Sequence, residues 1–370
     1  MTMRPETTRD GTTSDGTTSD GATSDGVART RAGAAGRWSL ALGAVAVLGV
    51  VLSLVVSWRG LLAVADGIGQ AAPLLPALVG LHLGQLWLSS VCWRVLFGGG
   101  VPGVGVFYRL RIIREGIDSL LPVAQVGGEV VGTRLLARTG VPTARAAASV
   151  IVDVTLELLT QVAFLLTGLA LLAARSDGQA SVGQAWRNWL AALVGGGLAT
   201  AAVIALQRLG GLRLLEGLLR GMARRWPALS GVSLDGLHAE ALGFYRHRGA
   251  LTAGIGLHYL AWALGSIETW AVLGAIGVPV SPAAAAIVES LGMAGRSAGF
   301  AIPAALGAQE GGFILAGAAV GVTAPAALTL SLVKRMREIL VGSIGLLLWR
   351  LAAGRPPAGA AAGSTAELPP

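Results

Sequence analysis

The chain has 370 residues, of which 53% are hydrophobic and only 13% charged, and its mean hydropathy is +0.67. Soluble domains carry about a quarter charged residues, so this composition indicates an integral membrane protein and excludes an ordinary soluble enzyme. The formal charge of +8 is almost entirely arginine, since Lys334 is the only lysine; it suits anionic lipid headgroups or basic cytoplasmic loops. No basic, aromatic-interleaved soluble domain is present to bind nucleic acid. Cys92 stands alone, which is read as excluding an internal disulfide and a cysteine metal site.

Residues 1–36 form a low-complexity tail in which Gly-Thr-Thr-Ser-Asp appears at 11–15 and 16–20 and returns as Gly-Ala-Thr-Ser-Asp at 21–25. Such polar repeats bury too little apolar surface to offset backbone ordering, so the tail is expected to be disordered. A membrane domain follows over 37–351. A run of about 20 apolar residues crosses a bilayer, and six such runs are predicted, at 38–58, 73–97, 146–173, 186–206, 250–276 and 326–349. The last stretch, 352–370, is a flexible tail. Between the fourth and fifth spans lies a connector, 207–248. In its first half Leu212, Leu215, Leu219 and Met222 share one helical face and Arg213, Arg220 and Arg224 the other. That pattern fits a helix in the headgroup layer and fits a solvated linker helix equally well.

Two segments, 104–140 and 283–322, are broken by Gly, Pro and charge. Each holds a Pro-x6-Glu element, Pro122 to Glu129 and Pro303 to Glu310, and the two lie 181 positions apart. The same offset pairs Gly140 with Gly321, Val141 with Val322, Asp153 with Lys334 and Glu157 with Glu338. Gly80-Leu81-His82 likewise matches Gly256-Leu257-His258. These matches indicate an internal duplication, with repeat one over about 71–173 and repeat two over about 249–351. Arg109, Arg111 and Arg114 flank the first broken segment on one side, and Arg134, Arg138 and Arg145 on the other. Basic loops favour the cytoplasm, so both flanks belong on one side and the segment is a re-entrant hairpin. The expected fold is all-α and polytopic, with about six transmembrane helices and two re-entrant hairpins in an inverted repeat. Both termini and the connector would then be cytoplasmic. Inverted repeats with broken helices near the midplane are a transporter architecture.

Ionisable groups inside spans are expensive and face a bundle interior or a cavity. The candidate path residues are Glu129, Glu310, Gln125, Gln309, Asp153, Glu157, Lys334, Arg337 and Glu338. Pro122, Gly127, Gly128, Pro303 and Gly307 are expected to break the hairpins. For Asp153, Glu157, Lys334 and Glu338, helix-to-helix ion pairing and a polar path for a headgroup or proton both fit. Equivalent positions on a two-fold make a direct Asp153–Lys334 pair a natural expectation, with Glu338 competing for the lysine. His82 and His258 read as packing residues within their spans, and His238 and His247 as connector residues without metal spacing. No catalytic motif, metal site or cofactor site is expected.

The run from Arg114 to Glu129, Arg-Glu-Gly-Ile-Asp-Ser-Leu-Leu-Pro-Val-Ala-Gln-Val-Gly-Gly-Glu, resembles the signature of the lysylphosphatidylglycerol synthase transmembrane, or flippase-like, family. Val152–Glu157, Pro303–Gly312 and Ser331–Glu338 support the resemblance, which covers about 40–350 and leans to the hopanoid-biosynthesis-associated branch. It implies a bacterial inner-membrane protein that translocates or handles lipids with polar or anionic headgroups, in association with lipid-synthesis enzymes. A soluble aminoacyl-transferase domain is not expected. Two rivals stay open: a lipid-modifying enzyme using Glu129 and Glu310 as acid and base, and a scaffold docking through 207–248.

Overall fold

The structure is a computed structural model and describes residues 58–121, 127–175, 236–299, 302 and 305–353. All of them belong to one compact unit, Gly43–Pro370. The expected spans 38–58 (apart from Trp58) and 186–206, the 212–224 amphipathic stretch, the tails (apart from 352–353, which extend α10), and Pro122, Gln125 and Pro303 lie outside the described residues.

The described elements are α-helices, joined by one 3-10 turn. α1 (Trp58–Ala71) leads through the turn Ala72–Leu74 into α2 (Leu75–Val95); α3 (Val104–Leu120), α4 (Gly127–Ala137) and α5 (Thr143–Arg175) complete the first half. α6 (Leu237–Arg246), α7 (Arg248–Ala275), α8 (Pro282–Ala298), α9 (Ala308–Ala318) and α10 (Ala324–Ala353) form the second. The chain is an all-α polytopic membrane protein. Three helical stretches, 62–95, 143–175 and 248–275, are long and apolar enough to cross a membrane. At 30 residues, α10 reaches about 45 Å and is also long enough, but it carries Lys334, Arg335, Arg337 and Glu338 near its middle.

Each broken segment has the same build. α3 and α8 are 17 residues long, and α4 and α9 are 11, or about 25 Å and 16 Å against a hydrocarbon core of about 30 Å. Local chemistry sets these limits. α3 stops at Leu121, whose extended backbone (φ −99°, ψ 143°) is what a residue before proline adopts. α8 begins with Pro282 at its first position, behind Ser281, whose hydroxyl accepts from the Ala284 N–H at 3.2 Å. Gly140 and Gly321, paired by the sequence register, both take positive φ (95° and 86°) just after α4 and α9.

Contacts between the halves come in exchanged pairs. α3 packs on α10 as α8 packs on α5, α7 packs on α5 as α2 packs on α10, and α2 packs on α7. Two elements not expected as helices follow the same exchange. α1 packs on α10, and Ala71 enters a core with Leu273, Phe313, Leu330 and Val333. α6, expected to be part of a polar connector, packs on α5 and places Leu237, Ala241 and Phe244 in a core with Trp93, Phe107 and Val152.

Candidate functional site

The polar residues inside this apolar bundle gather into two clusters, one per repeat. In the first, Asp153 of α5 is fully buried. Its Oδ2 accepts from Arg111 at 2.9 Å and Arg114 at 3.3 Å, and its Oδ1 accepts from His258 Nε2 at 3.1 Å. Arg111 also donates to Glu157 at 2.6 Å, and Arg114 to Glu129 at 2.5 Å. The Arg114 guanidinium lies over the Trp93 ring, and Trp93 Nε1 donates to Ser149. A dry interior strengthens such attractions but makes an unpaired charge costly, so five helices, α2, α3, α4, α5 and α7, are held together here.

The second cluster surrounds α10. Lys334 Nζ sits 3.0 Å from Glu268 and 2.9 Å from Glu289, and Arg337 also binds Glu268. Arg296 donates to Glu338 at 2.5 Å and to Gln309 at 2.6 Å. Arg335 donates to Glu310 at 2.9 Å, while the other Glu310 oxygen accepts the Gly307 N–H at 2.7 Å. The latter bond caps α9, with Glu310 as its third residue. Glu129 is the third residue of α4 and is likewise held by an arginine. The two hairpin glutamates thus hold equivalent stations.

The expected Asp153–Lys334 pair does not form. Each takes a partner from the broken segment of its own half: Arg111 for Asp153, Glu289 for Lys334. Nor does Glu338 take the lysine, since Arg296 holds it. Arg111 and Arg114, counted from sequence among loop charges, are buried in the bundle and say nothing about which side a loop faces. Gly127 and Gly128 are the first two residues of α4, so the break precedes them. A Cβ on Gly128 would meet the Arg114 carbonyl at 2.6 Å, which makes it a close-approach residue. Gly307, at φ 80°, does serve as a turn. His258 is a ligand of Asp153 and not only a packing residue. Cys92 is also less isolated than its count implied: its sulfur, Asp153 and His258 offer donor atoms within 4.8 Å of one another. Two guanidiniums on Asp153 oppose a further cation at that corner.

Glu268, Glu289 and Arg296 were not singled out from sequence, though each lies in an apolar span or hairpin, and that placement is itself a signal. Gln161 donates to Ser297 and to the Met293 carbonyl (3.5 Å), linking α5 to α8.

A family model of the lysylphosphatidylglycerol synthase TM region matches residues 38–345. The chain belongs to this family. It is therefore a membrane protein of a lipid-handling family. No curated protein and no solved structure matches it.

Proposed function

We propose that this family member is a lipid translocase, built as an inverted repeat, in which a polar or anionic headgroup moves along the two hairpins past Glu129 and Glu310 while the acyl tails stay in lipid. The carrying observation is the shared arrangement of the hairpin glutamates. Each opens an 11-residue helix too short to cross, and each is held by one arginine, Arg114 or Arg335. Guanidinium binds phosphate as readily as carboxylate. A lipid phosphate can replace Glu129 on Arg114, or Glu310 on Arg335, and each glutamate restores its pair when the phosphate leaves. Each exchange keeps the arginine paired; the displaced Glu129 is a quarter exposed and turns to water, and the displaced Glu310 keeps the Gly307 N–H.

The exchanged helix contacts support the inverted repeat, and the hairpin lengths support re-entry. Residence in the bacterial inner membrane, cytoplasmic termini and a hopanoid or aminoacylated lipid as substrate are finer parts of the proposal. The test is reconstitution of purified protein into liposomes carrying a fluorescent phospholipid in one leaflet. Transfer of unchanged lipid to the other leaflet supports the translocase. A new lipid species, or no movement at all, contradicts it.

A further inference from the structure

Duplication has left two histidines at matched positions, His258 and His82, with different surroundings. His258 donates to a carboxylate that already holds two arginines. His82 does not. Its Nδ1 lies 2.9 Å from Gln85 Oε1, and the Gln85 amide nitrogen donates to the Ala261 carbonyl of α7 at 3.1 Å. That second bond fixes which end of the amide is oxygen, so Nδ1 must be the protonated nitrogen of His82. Nε2 then carries a lone pair. It is buried, makes no hydrogen bond, and faces Glu115 Oε1 at 3.5 Å. A lone pair set against a carboxylate oxygen in a buried place lacks one thing, a proton between them.

We propose that His82 Nε2 and Glu115 form a proton-binding site that couples lipid movement to a proton; the coupling, though not the site, rests on the translocase reading. Glu115 is a quarter exposed and receives the proton from a hydronium ion, which leaves as water. The proton passes to the Nε2 lone pair, and the new N–H donates to Glu115. The groups around the pair make this consequential. α3 contributes Glu115, α7 contributes Glu268, α10 contributes Arg337, and Arg296 of α8 lies in the field of Glu115. α5 brings Asp153 to the far end of α2, beside Cys92, and the Ala72–Leu74 turn brings no charge. Once imidazolium neutralises Glu115, Arg296 and Arg337 lose an anionic neighbour and attract an incoming phosphate more strongly.

Two measurements test this separately. Side-chain ¹⁵N spectra of the full chain in lipid nanodiscs, with the His82 signal identified by its loss in His82→Gln, should show Nδ1–H alone in alkaline buffer. In acid buffer they should show both nitrogens protonated in wild type but not in Glu115→Gln. The opposite tautomer, or an imidazole that stays neutral in wild type, overturns the site. In liposomes, a pH gradient should accelerate lipid movement by the wild type and leave the His82→Gln and Glu115→Gln rates unchanged. Wild-type movement indifferent to the gradient overturns the coupling and leaves the translocase standing. Absence of any lipid movement overturns the translocase and the coupling together, while the spectra still decide the proton site.

Discussion

At the eighth residue of the 17-residue helices α3 and α8 stand Arg111 and Glu289; against them, on α5 and α10, stand Asp153 and Lys334. The two ion pairs occupy matched stations with their charges exchanged. Attraction between opposite charges is unchanged by the exchange, so each repeat can close its hairpin on its long helix with either sign. What differs is how completely the surroundings are satisfied. Among the buried atoms that make no hydrogen bond, none belongs to Arg111, Arg114, Asp153 or Glu129. Glu268 Oε1, Gln309 Nε2, Arg337 Nε and Glu338 Oε2 all do, and all sit in the second cluster. Buried polar atoms are ordinarily paired. The fully buried Asp153 centre of the first cluster therefore reads as an anchor, with the part-exposed Glu129 at its edge free to exchange, and the second cluster has the greater spare capacity to accept a polar visitor.

The largest effect that can break this comparison comes from removing one partner of a closed pair. Asp153→Asn leaves Arg111 and Arg114 short of a buried anion, and Lys334→Met does the reverse to Glu268 and Glu289; each should cost about 3–5 kcal/mol. The yield of monodisperse protein in detergent, with its thermal midpoint, measures this. Near-normal stability of Asp153→Asn would mean that the first cluster is not an anchor.

A smaller effect sharpens the pairing itself. Combining Glu289→Lys with Lys334→Glu should recover stability lost by the single changes, with a coupling of about 0.5–3 kcal/mol. Combining Asp153→Lys with Lys334→Asp should recover none, because these two residues take different partners. Rescue of the second double variant but not the first would reverse the assignment.

Smaller again is the effect expected where α3 and α10 meet backbone to backbone. A Cβ on Gly116 would lie 2.5 Å from the Gly342 carbonyl, and one on Gly345 would strike the Ile112 carbonyl. Small residues allow such approach between membrane helices. Gly116→Ala and Gly345→Ala should each cost about 1–3 kcal/mol, the usual price of overpacking, whereas Gly84→Ala, with open space around it, should cost little.

The matching builds of the two broken segments were legible because their markers are chemically constrained. The glutamates at the third position of α4 and α9 and the glycines that turn left-handed after them keep the 181-residue offset read from the sequence. Long apolar runs likewise gave α2, α5, α7 and α10 to within a few residues, except that the helix reaching α2 starts earlier, at 62. The partners of the charges were not legible. Arg111 looks like a loop arginine until the fold brings its guanidinium to Asp153 of α5, and no spacing along the chain encodes that approach. α6 was missed because its leucine and phenylalanine sit among charged neighbours; only burial against α5 separates its faces.

The measurement that bears most directly on the account is the rate of phospholipid transfer in liposomes for Glu129→Gln and Glu310→Gln beside the wild type, at matched protein incorporation. Glutamine keeps the shape and removes the charge that must let go of, and recapture, Arg114 or Arg335. The account predicts that both variants insert and fold, and that each loses lipid transfer. Transfer at the wild-type rate by both would contradict it, and would make the two hairpin glutamates fixtures of the fold instead of parts of the path.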